Sequence, residues 1–342
     1  MNEKDVRSMG EYPLVTIMTP CYNGETYVHR FFESVLKQTY PNLELIFVND
    51  GSKDRTEEIA LGYTQALKEK GIQYQYIYQE NGGQASAINQ ALKIFRGEYL
   101  TWPDSDDWMS DDCIEKKVAY LQAHPEKGYV MCKTAKVPEN DLQKTIGISA
   151  RRNTANGWLF EDLIFENDIY FAPGGYMVRS KEFLDALPSR HIYECKTGQN
   201  WQLLLPIAYK YECGFLDEVL YYYLVRSNSH SRAEKNFRQL YEKTYRHQDT
   251  LEQVVASIEM PEEEKQQYLK RIRIKYHRIR LHLARTAEEY DIVQEQYAAL
   301  CKEDAPGMMA RLDYLRAKYP VVEGVIRIAR IPWRLIVKLR GY

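Results

Sequence analysis

Three aspartates, Asp104, Asp106 and Asp107, fall within four consecutive positions between Trp102 and Trp108. Like charges this close repel, and partial burial raises the cost of ionising them. A divalent cation removes the conflict: hard Mg²⁺ or Mn²⁺ takes a few carboxylates and fills the rest of its shell with phosphate oxygens. The plainer reading is an acidic run before a helix starting near Ser110, where Asp111 and Asp112 would also favour the helix dipole. Three further clusters of small and polar residues stand at 19–24, 49–52 and 81–84. Each follows a strand pattern, and ligands of open α/β sheets bind beyond the carboxyl ends of the strands. The four clusters are therefore expected on one rim. No G-x-G-x-x-G follows the first strand, which disfavours a dinucleotide held by a glycine turn; Asp50 could accept hydrogen bonds from a ribose or a base.

The elements that must position these clusters alternate. Short apolar or β-branched runs at 14–19, 43–48, 74–78 and 98–102 read as strands. Between them, 26–37, a stretch from an N-cap at Asp54 to Lys70, and 84–95 read as helices. This order predicts an α/β fold with a mainly parallel sheet and helices on both faces. From about residue 140 the pattern loosens into helices at 156–165 and 199–208 and strands at 176–178 and 219–225. Beyond Ala233 it is helical, with breaks near Pro261, Pro306 and Pro320.

Over 342 residues, 44% hydrophobic and 27% charged is an ordinary globular balance, which excludes a disordered or fibrous chain. The length predicts two domains, or one with an extension. A net charge of −2 excludes a nucleic-acid partner by overall charge. Its placement is uneven. Residues 265–285 hold eight Lys/Arg and no Asp/Glu, and 321–342 hold five against Glu323. In the first, Leu269, Ile272, Tyr276, Ile279 and Leu283 recur at helical spacing, so one face packs and the rest is cationic, either simply solvated or facing anionic lipid or a phosphate-bearing acceptor. In the second, Arg327, Arg330, Arg334 and Lys338 step by three or four among apolar residues and Trp333. That is the pattern of an amphipathic helix lying in a membrane surface, kinked at Pro332. Packing on the chain's own preceding domain, or a homodimer, is the competing reading. The six cysteines are scattered, as free thiols of a reducing compartment are. The polar first residues carry no secretory pattern, and no run of about 18 apolar residues would span a bilayer. The expected place is the cytoplasm, peripheral on the inner face of the cell membrane.

Taken in order, T-P-C-Y-N (19–23), V-N-D-G-S-x-D-x-T (48–56), E-N-G-G-Q-A-S-A-I-N (80–89) and D-S-D-D (104–107) resemble the motifs of family-2 glycosyltransferases of the bacterial surface-polysaccharide type. These have the GT-A fold, a Rossmann-like, mainly parallel sheet flanked by helices. The resemblance implies a catalytic domain over 1–232, with a nucleotide-binding half at 13–130 and an acceptor half at 131–232. A helical extension over 233–320 and the basic membrane-surface helix over 321–342 would follow. It also implies inverting transfer of a sugar from a nucleotide diphosphate sugar, with UDP the family-weighted carrier, to a hydroxyl of a glycan or lipid-linked glycan. By position, Pro20, Tyr22, Asn23 and Asp50 would hold base and ribose, with Gly83 and Ser86 nearby. Asp104 and Ser105 would contact the ribose or donor sugar, and Asp106, with Asp104, would ligate Mn²⁺ or Mg²⁺ on the diphosphate. Tyr223 and Arg226, with Ser229, His230 and Ser231, resemble the family's segment that closes on the diphosphate.

One position departs from the family. Where a Glu-Asp pair would supply the general base, this chain has Gln199-Asn200. An amide cannot take the acceptor's proton, a step worth about 10²–10⁴-fold in rate. Three readings stay open: another carboxylate serves, with Glu194 nearest and Asp168 or Glu166 behind it; the acceptor is acidic enough to need no base; or the chain is a catalytically silent nucleotide-sugar-binding subunit that scaffolds a synthase complex. The first is the working expectation.

Overall fold

The computed structural model describes residues 12–170, 172–195, 198–226, 236–303 and 307–319. The chain divides into two compact units, Met1–Ala233 and Glu234–Tyr342.

The first unit opens with β1 (Val15–Cys21), α1 (Val28–Leu36), β2 (Leu43–Asp50), the short helices α2 (Thr56–Gly62) and α3 (Thr64–Glu69), β3 (Gln73–Gln79), α4 (Gln84–Ile94) and β4 (Tyr99–Thr101). β2 is buried at all eight positions, as expected of a parallel strand covered on both faces. It pairs in parallel with β1, Val15 opposite Leu43, and with β3, Val48 opposite Ile77. α1 buries Phe31, Phe32 and Val35, and Phe32 stacks on Tyr63 at 4.7 Å and meets Phe47 at 5.1 Å. A charged residue near the start of β2 is satisfied: buried Glu44 accepts from Thr16 Oγ1 at 2.6 Å, Arg96 Nε at 2.7 Å and Gln75 Nε2 at 3.1 Å.

Then follow β5 (Trp108–Met109), α5 (Cys113–Ala123), β6 (Lys127–Pro138), β7 (Gly147–Ser149), α6 (Phe160–Phe165), a 3₁₀ turn at Pro173–Gly175, β8 (Tyr176–Arg179), α7 (Ser180–Ala186), α8 (Gln199–Lys210) and β9 (Glu212–Val225). The strands form one sheet in the order β3-β2-β1-β4-β8-β6-β9-β5, with β7 on β6. The expected parallel sheet holds from β3 to β4. Beyond it the sheet is mixed, because β8 runs antiparallel to both β4 and β6, and β5 antiparallel to β9.

Several boundaries differ from the sequence reading. The helix expected from Asp54 to Lys70 is two, broken at Tyr63. Asp54 stands one residue before the cap and accepts from the amides of Glu25 (3.0 Å) and Thr56 (3.1 Å), tying the loop after β1 to α2. The helix expected from 156 covers only Phe160–Phe165: Gly157 lies against β9, its carbonyl accepting from Cys213 N at 2.8 Å, and a Cβ there would sit 2.8 Å from the Cys213 carbonyl. β6 was not expected, and β9 begins seven residues earlier than expected.

The second unit contains α9 (Phe237–Ser257), capped by the Asn236 side chain accepting from Gln239 N, then α10 (Glu262–Thr286), α11 (Tyr290–Lys302) and α12 (Met308–Lys318). Leu281, Ala284, Val293, Leu300 and Ala310 form its core. The basic run of α10 is less free than its sequence suggests. Arg280 is buried, donating to Thr244 Oγ1 at 3.0 Å with its guanidinium 3.7 Å from the Tyr245 ring centre. Arg273 pairs with Glu303 and Arg285 with Asp313. Three of these cations hold the helices together. The basic segment 321–342 lies outside the described residues, and among those described no helix is long and apolar enough to cross a membrane.

Candidate active site

A cleft of about 400 Å³ opens at the carboxyl ends of β1, β2 and β4. Residues 20–24 at the end of β1 and just beyond it, Asp50 of β2, Gln84 of α4 and Asp104–Asp106 after β4 line it, and Pro173, Gln199, Asn200, Tyr223, Leu224 and Arg226 close the far side. The clusters after β1, β2 and β4 meet on one rim, and the cluster after β3 reaches it through Gln84.

Asp50 is buried, and its own chain occupies its carboxylate. Gly82 N donates to Oδ1 at 2.8 Å and Gly83 N to Oδ2 at 2.9 Å, while Gln79 Nε2 and Asn81 Nδ2 add contacts at 2.6 and 3.2 Å. Asp50 thereby fixes the loop that launches α4. Gly51 must be glycine here, at φ +70° with a Cβ that would sit 2.6 Å from Asn81 N. Gly83 and Ser86 stand around this loop and are not part of the lining. Asn23 stitches the loop after β1 to the one after β2: its amide donates to Ser52 Oγ at 2.9 Å, and its Oδ1 accepts from Lys53 N at 2.8 Å. Tyr22, half exposed, leaves its ring open at the mouth. Burial pushes the Cys21 thiol up to about 12, so it lines the cleft as an inert group.

The acidic cluster is short of donors. The carboxylates of Asp104, Asp106 and Asp107 have oxygens within 4.8 Å of one another. Asp107 is fully buried and committed, accepting from Tyr221 Oη at 2.7 Å and Leu224 N at 2.8 Å. Tyr221 Oη also accepts from Asp104 N at 3.2 Å, so one tyrosine spans the loop. Asp104 accepts from Gln84 Nε2 at 2.9 Å, and Asp106 pairs with Arg226 Nη2 at 3.0 Å. Burial, then the charge of Asp106, pushes the Asp104 carboxyl up to about 7. Burial also raises Asp106, with Arg226 offsetting part of the rise, and it raises Asp107 well above the usual carboxylate range. Asp104 and Asp106 line the cleft whereas Asp107 does not. Two hard oxygen donors facing a phosphate-sized cleft, in a site that penalises their joint ionisation, fit Mg²⁺ or Mn²⁺.

Arg226 stands over this pair. Its guanidinium lies 4.9 Å from the Tyr27 ring centre, and Tyr27 Oη donates to Glu139 Oε1 at 2.6 Å. The buried Nε of Arg226 has no hydrogen-bond partner among the described residues. The packing of Arg226 on Tyr27 and its ion pair with Asp106 hold this cation at the mouth of the acidic site.

Residues 16–188 match the model of Glycosyl transferase family 2. The chain belongs to that family. An uncharacterized glycosyltransferase of Rickettsia typhi is 43% identical over 119 residues, 35% of each chain. The putative glycosyltransferase EpsH of Bacillus subtilis is 34% identical over 142 residues, 40% of each. The chain thus spans little more than a third of the length of these curated relatives. Among solved structures, TarS 1–349 of S. aureus in complex with UDP-GlcNAc superposes with a TM-score of 0.65 at 20% identity, covering 92% of both chains. The mannosyltransferase PcManGT of Pyrobaculum calidifontis, in complex with GDP-Man and Mn²⁺, superposes with a TM-score of 0.54 at 16% identity, covering 97% of this chain and 85% of that one. These likenesses show the GT-A fold.

Where the family's base pair would stand, Gln199 and Asn200 open α8 after Gly198 in a left-handed turn (φ 76°), and both line the cleft. Gln199 Nε2 donates to Gln84 Oε1 at 2.6 Å, and Gln84 in turn donates to Asp104. Asn200 Oδ1 accepts from Trp102 Nε1 at 3.3 Å. The two amides are thus tied to the acidic loop. Glu194 is outside the lining, half exposed and 3.9 Å from His191. Asp168 is taken up by Arg152 and the amides of Arg152 and Asn153, and Glu166 ends α6 in a left-handed turn; neither lines the cleft. His230 lies outside the described residues. The sequence reading placed Gln84 on the rim, within the 81–84 cluster, without giving it a role, and it missed Tyr27 and Tyr221.

Proposed function

We propose that this glycosyltransferase moves a sugar from a UDP-sugar to a hydroxyl of a glycan or lipid-linked glycan, with inversion, in polysaccharide assembly. The observation that carries the reading is the open pair Asp104 and Asp106 on the strand-end rim, under-satisfied by protein donors and faced by Arg226 at 3.0 Å. When bound there, a divalent cation would neutralise charge developing on the departing diphosphate. Arg226 adds a fixed positive charge to the same place, and its packing on Tyr27 means that little reorganisation is needed when charge develops. Tyr22 offers an open ring face to the base, while Asp50 keeps the neighbouring loop in shape. UDP is favoured by the nucleotide bound in the TarS complexes, and Mn²⁺ by that in the mannosyltransferase. The polysaccharide role and the hydroxyl acceptor rest on the family resemblance. A seat on the cytoplasmic face of the membrane is supported by the basic, apolar sequence of 321–342.

The test is a thermal-shift screen of UDP-, GDP-, dTDP- and CMP-sugars, each with and without Mn²⁺ or Mg²⁺, on the wild type and Asp106→Ala. A ligand that binds only the native state raises the melting temperature by mass action. The expected result is a metal-dependent rise with a UDP-sugar that disappears in Asp106→Ala. A rise indifferent to metal and to Asp106, or one confined to another nucleotide, would overturn the assignment.

A further inference from the structure

Lys117 of α5 is fully buried. Its ammonium donates to the Gly174 carbonyl at 2.6 Å, and the thiols of Cys113 and Cys132 stand beside it. No carboxylate pairs with it among the described residues. Burying a cation without a counter-ion is costly, and such breaches of the ordinary rules concentrate where function requires them. The position of Gly174 gives this one its meaning. It is the centre of the Pro173–Gly175 turn, whose first residue lines the cleft. It lies so close to the Tyr221 ring that a Cβ would run into it, and that Cβ would also come within 2.8 Å of Pro103 Cβ. Pro103 leads directly into Asp104. Tyr221 is the residue whose hydroxyl accepts from Asp104 N and donates to Asp107. A run of contacts therefore passes from the buried ammonium through the turn to the acidic loop.

We propose that Lys117 is a positioning residue of the donor site: by holding the Gly174 carbonyl it presses the Pro173–Gly175 turn onto Tyr221 and Pro103, and so sets where Asp104 and Asp107 stand. The inference rests on the reading of Asp104 and Asp106 as the cation site only for its effect on metal affinity. Its effect on the loop is independent of that reading. Lys117→Met keeps the length and apolar packing of the side chain and removes the donor. Because it also removes a buried charge, a lysine with no positioning role would leave the Met variant as stable as the wild type or more so, with its acidic loop unchanged.

Two readouts on the full chain decide the matter. Amide hydrogen exchange over peptides spanning 101–109 and 219–226 reports the Asp104 N–H···Tyr221 and Leu224 N–H···Asp107 bonds directly. Mn²⁺ affinity in the presence of UDP, followed by electron paramagnetic resonance, reports the cation site. In Lys117→Met both peptides are expected to exchange about tenfold faster and Mn²⁺ to bind about tenfold more weakly, the loss of one buried hydrogen bond. Peptides from β2 should be unchanged. Lys117→Gln, which retains an N–H donor without the charge, should recover part of both effects. Exchange and affinity within about twofold of wild type in folded Lys117→Met would overturn the proposal. Should that variant not fold, Lys117→Leu, which also removes the donor to the Gly174 carbonyl and leaves Tyr221 intact, carries the same readouts and the same criteria. If the wild type binds no Mn²⁺ with UDP, the cation-site reading fails, and the exchange result still decides the role of Lys117.

Discussion

Asp50 and Asp106 occupy equivalent places, each at or just after the carboxyl end of a parallel strand and each lining the same cleft. Their surroundings are opposite. Four donors from residues 79–83 converge on the two oxygens of Asp50. Asp106 has Arg226 as its ion-pair partner, and two further carboxylates crowd it. A buried carboxylate is stable where the chain supplies donors and costly where it supplies other acids. The first arrangement builds a loop. The second leaves coordination to be filled from outside. On the proposed function, the same side chain at two strand ends serves structure in one place and chemistry in the other, and counting donors tells them apart.

The contrast breaks most visibly on turnover. Asp106→Asn removes the charge that would hold the cation on the diphosphate, and a fall of about 10²–10³-fold in turnover is expected, the usual cost of one preorganised stabilising group. Steady-state rates on a donor found by the thermal-shift screen would measure it. A loss of less than about tenfold would remove Asp106 from the chemistry.

Stability sharpens the comparison with a smaller effect of opposite signs. In EDTA, Asp50→Asn replaces one acceptor oxygen by an NH₂ donor and so strands one of the amides of Gly82 and Gly83, costing about 1–3 kcal/mol, and the melting temperature should fall by a few degrees. Asp104 is different. Its carboxyl is raised by burial and by Asp106, so its ionised form is destabilising. The sign follows from linkage: a carboxyl raised in the folded state favours folding below its unfolded value, and this contribution is lost as pH rises through about 7. Above that pH, Asp104→Asn should melt no lower than the wild type. Calorimetry at pH 8 in EDTA separates the two, and an equal loss in both variants would erase the distinction.

Part of this was legible in the sequence because its signals are local. β1 and β2 are mostly apolar and β-branched runs, as strands covered on both faces tend to be, and mutual repulsion among Asp104, Asp106 and Asp107 depends only on adjacency. What failed needed partners distant in sequence. β6 has Lys127, Lys133 and Lys136 interrupting its apolar pattern, and its pairing with β8 and β9 is what makes it a strand. Asp107 could not be set apart from its neighbours without Tyr221 and Leu224, more than 110 positions away. Asp50 was correctly expected on the rim, but the donors that occupy it come from a loop whose path follows from β3. Glu194 was chosen by nearness in sequence to Gln199, and the fold sets it outside the cleft lining.

The most direct measurement of the central claim is an anomalous-difference map from crystals grown with UDP and Mn²⁺, collected at the manganese edge. The account expects a peak at ordinary ligand distance, about 2.1 Å for a small hard divalent ion, from carboxylate oxygens of Asp106 and Asp104, and none at Asp50. A peak held by Asp50, or ordered UDP with no peak beside Asp106, would contradict it.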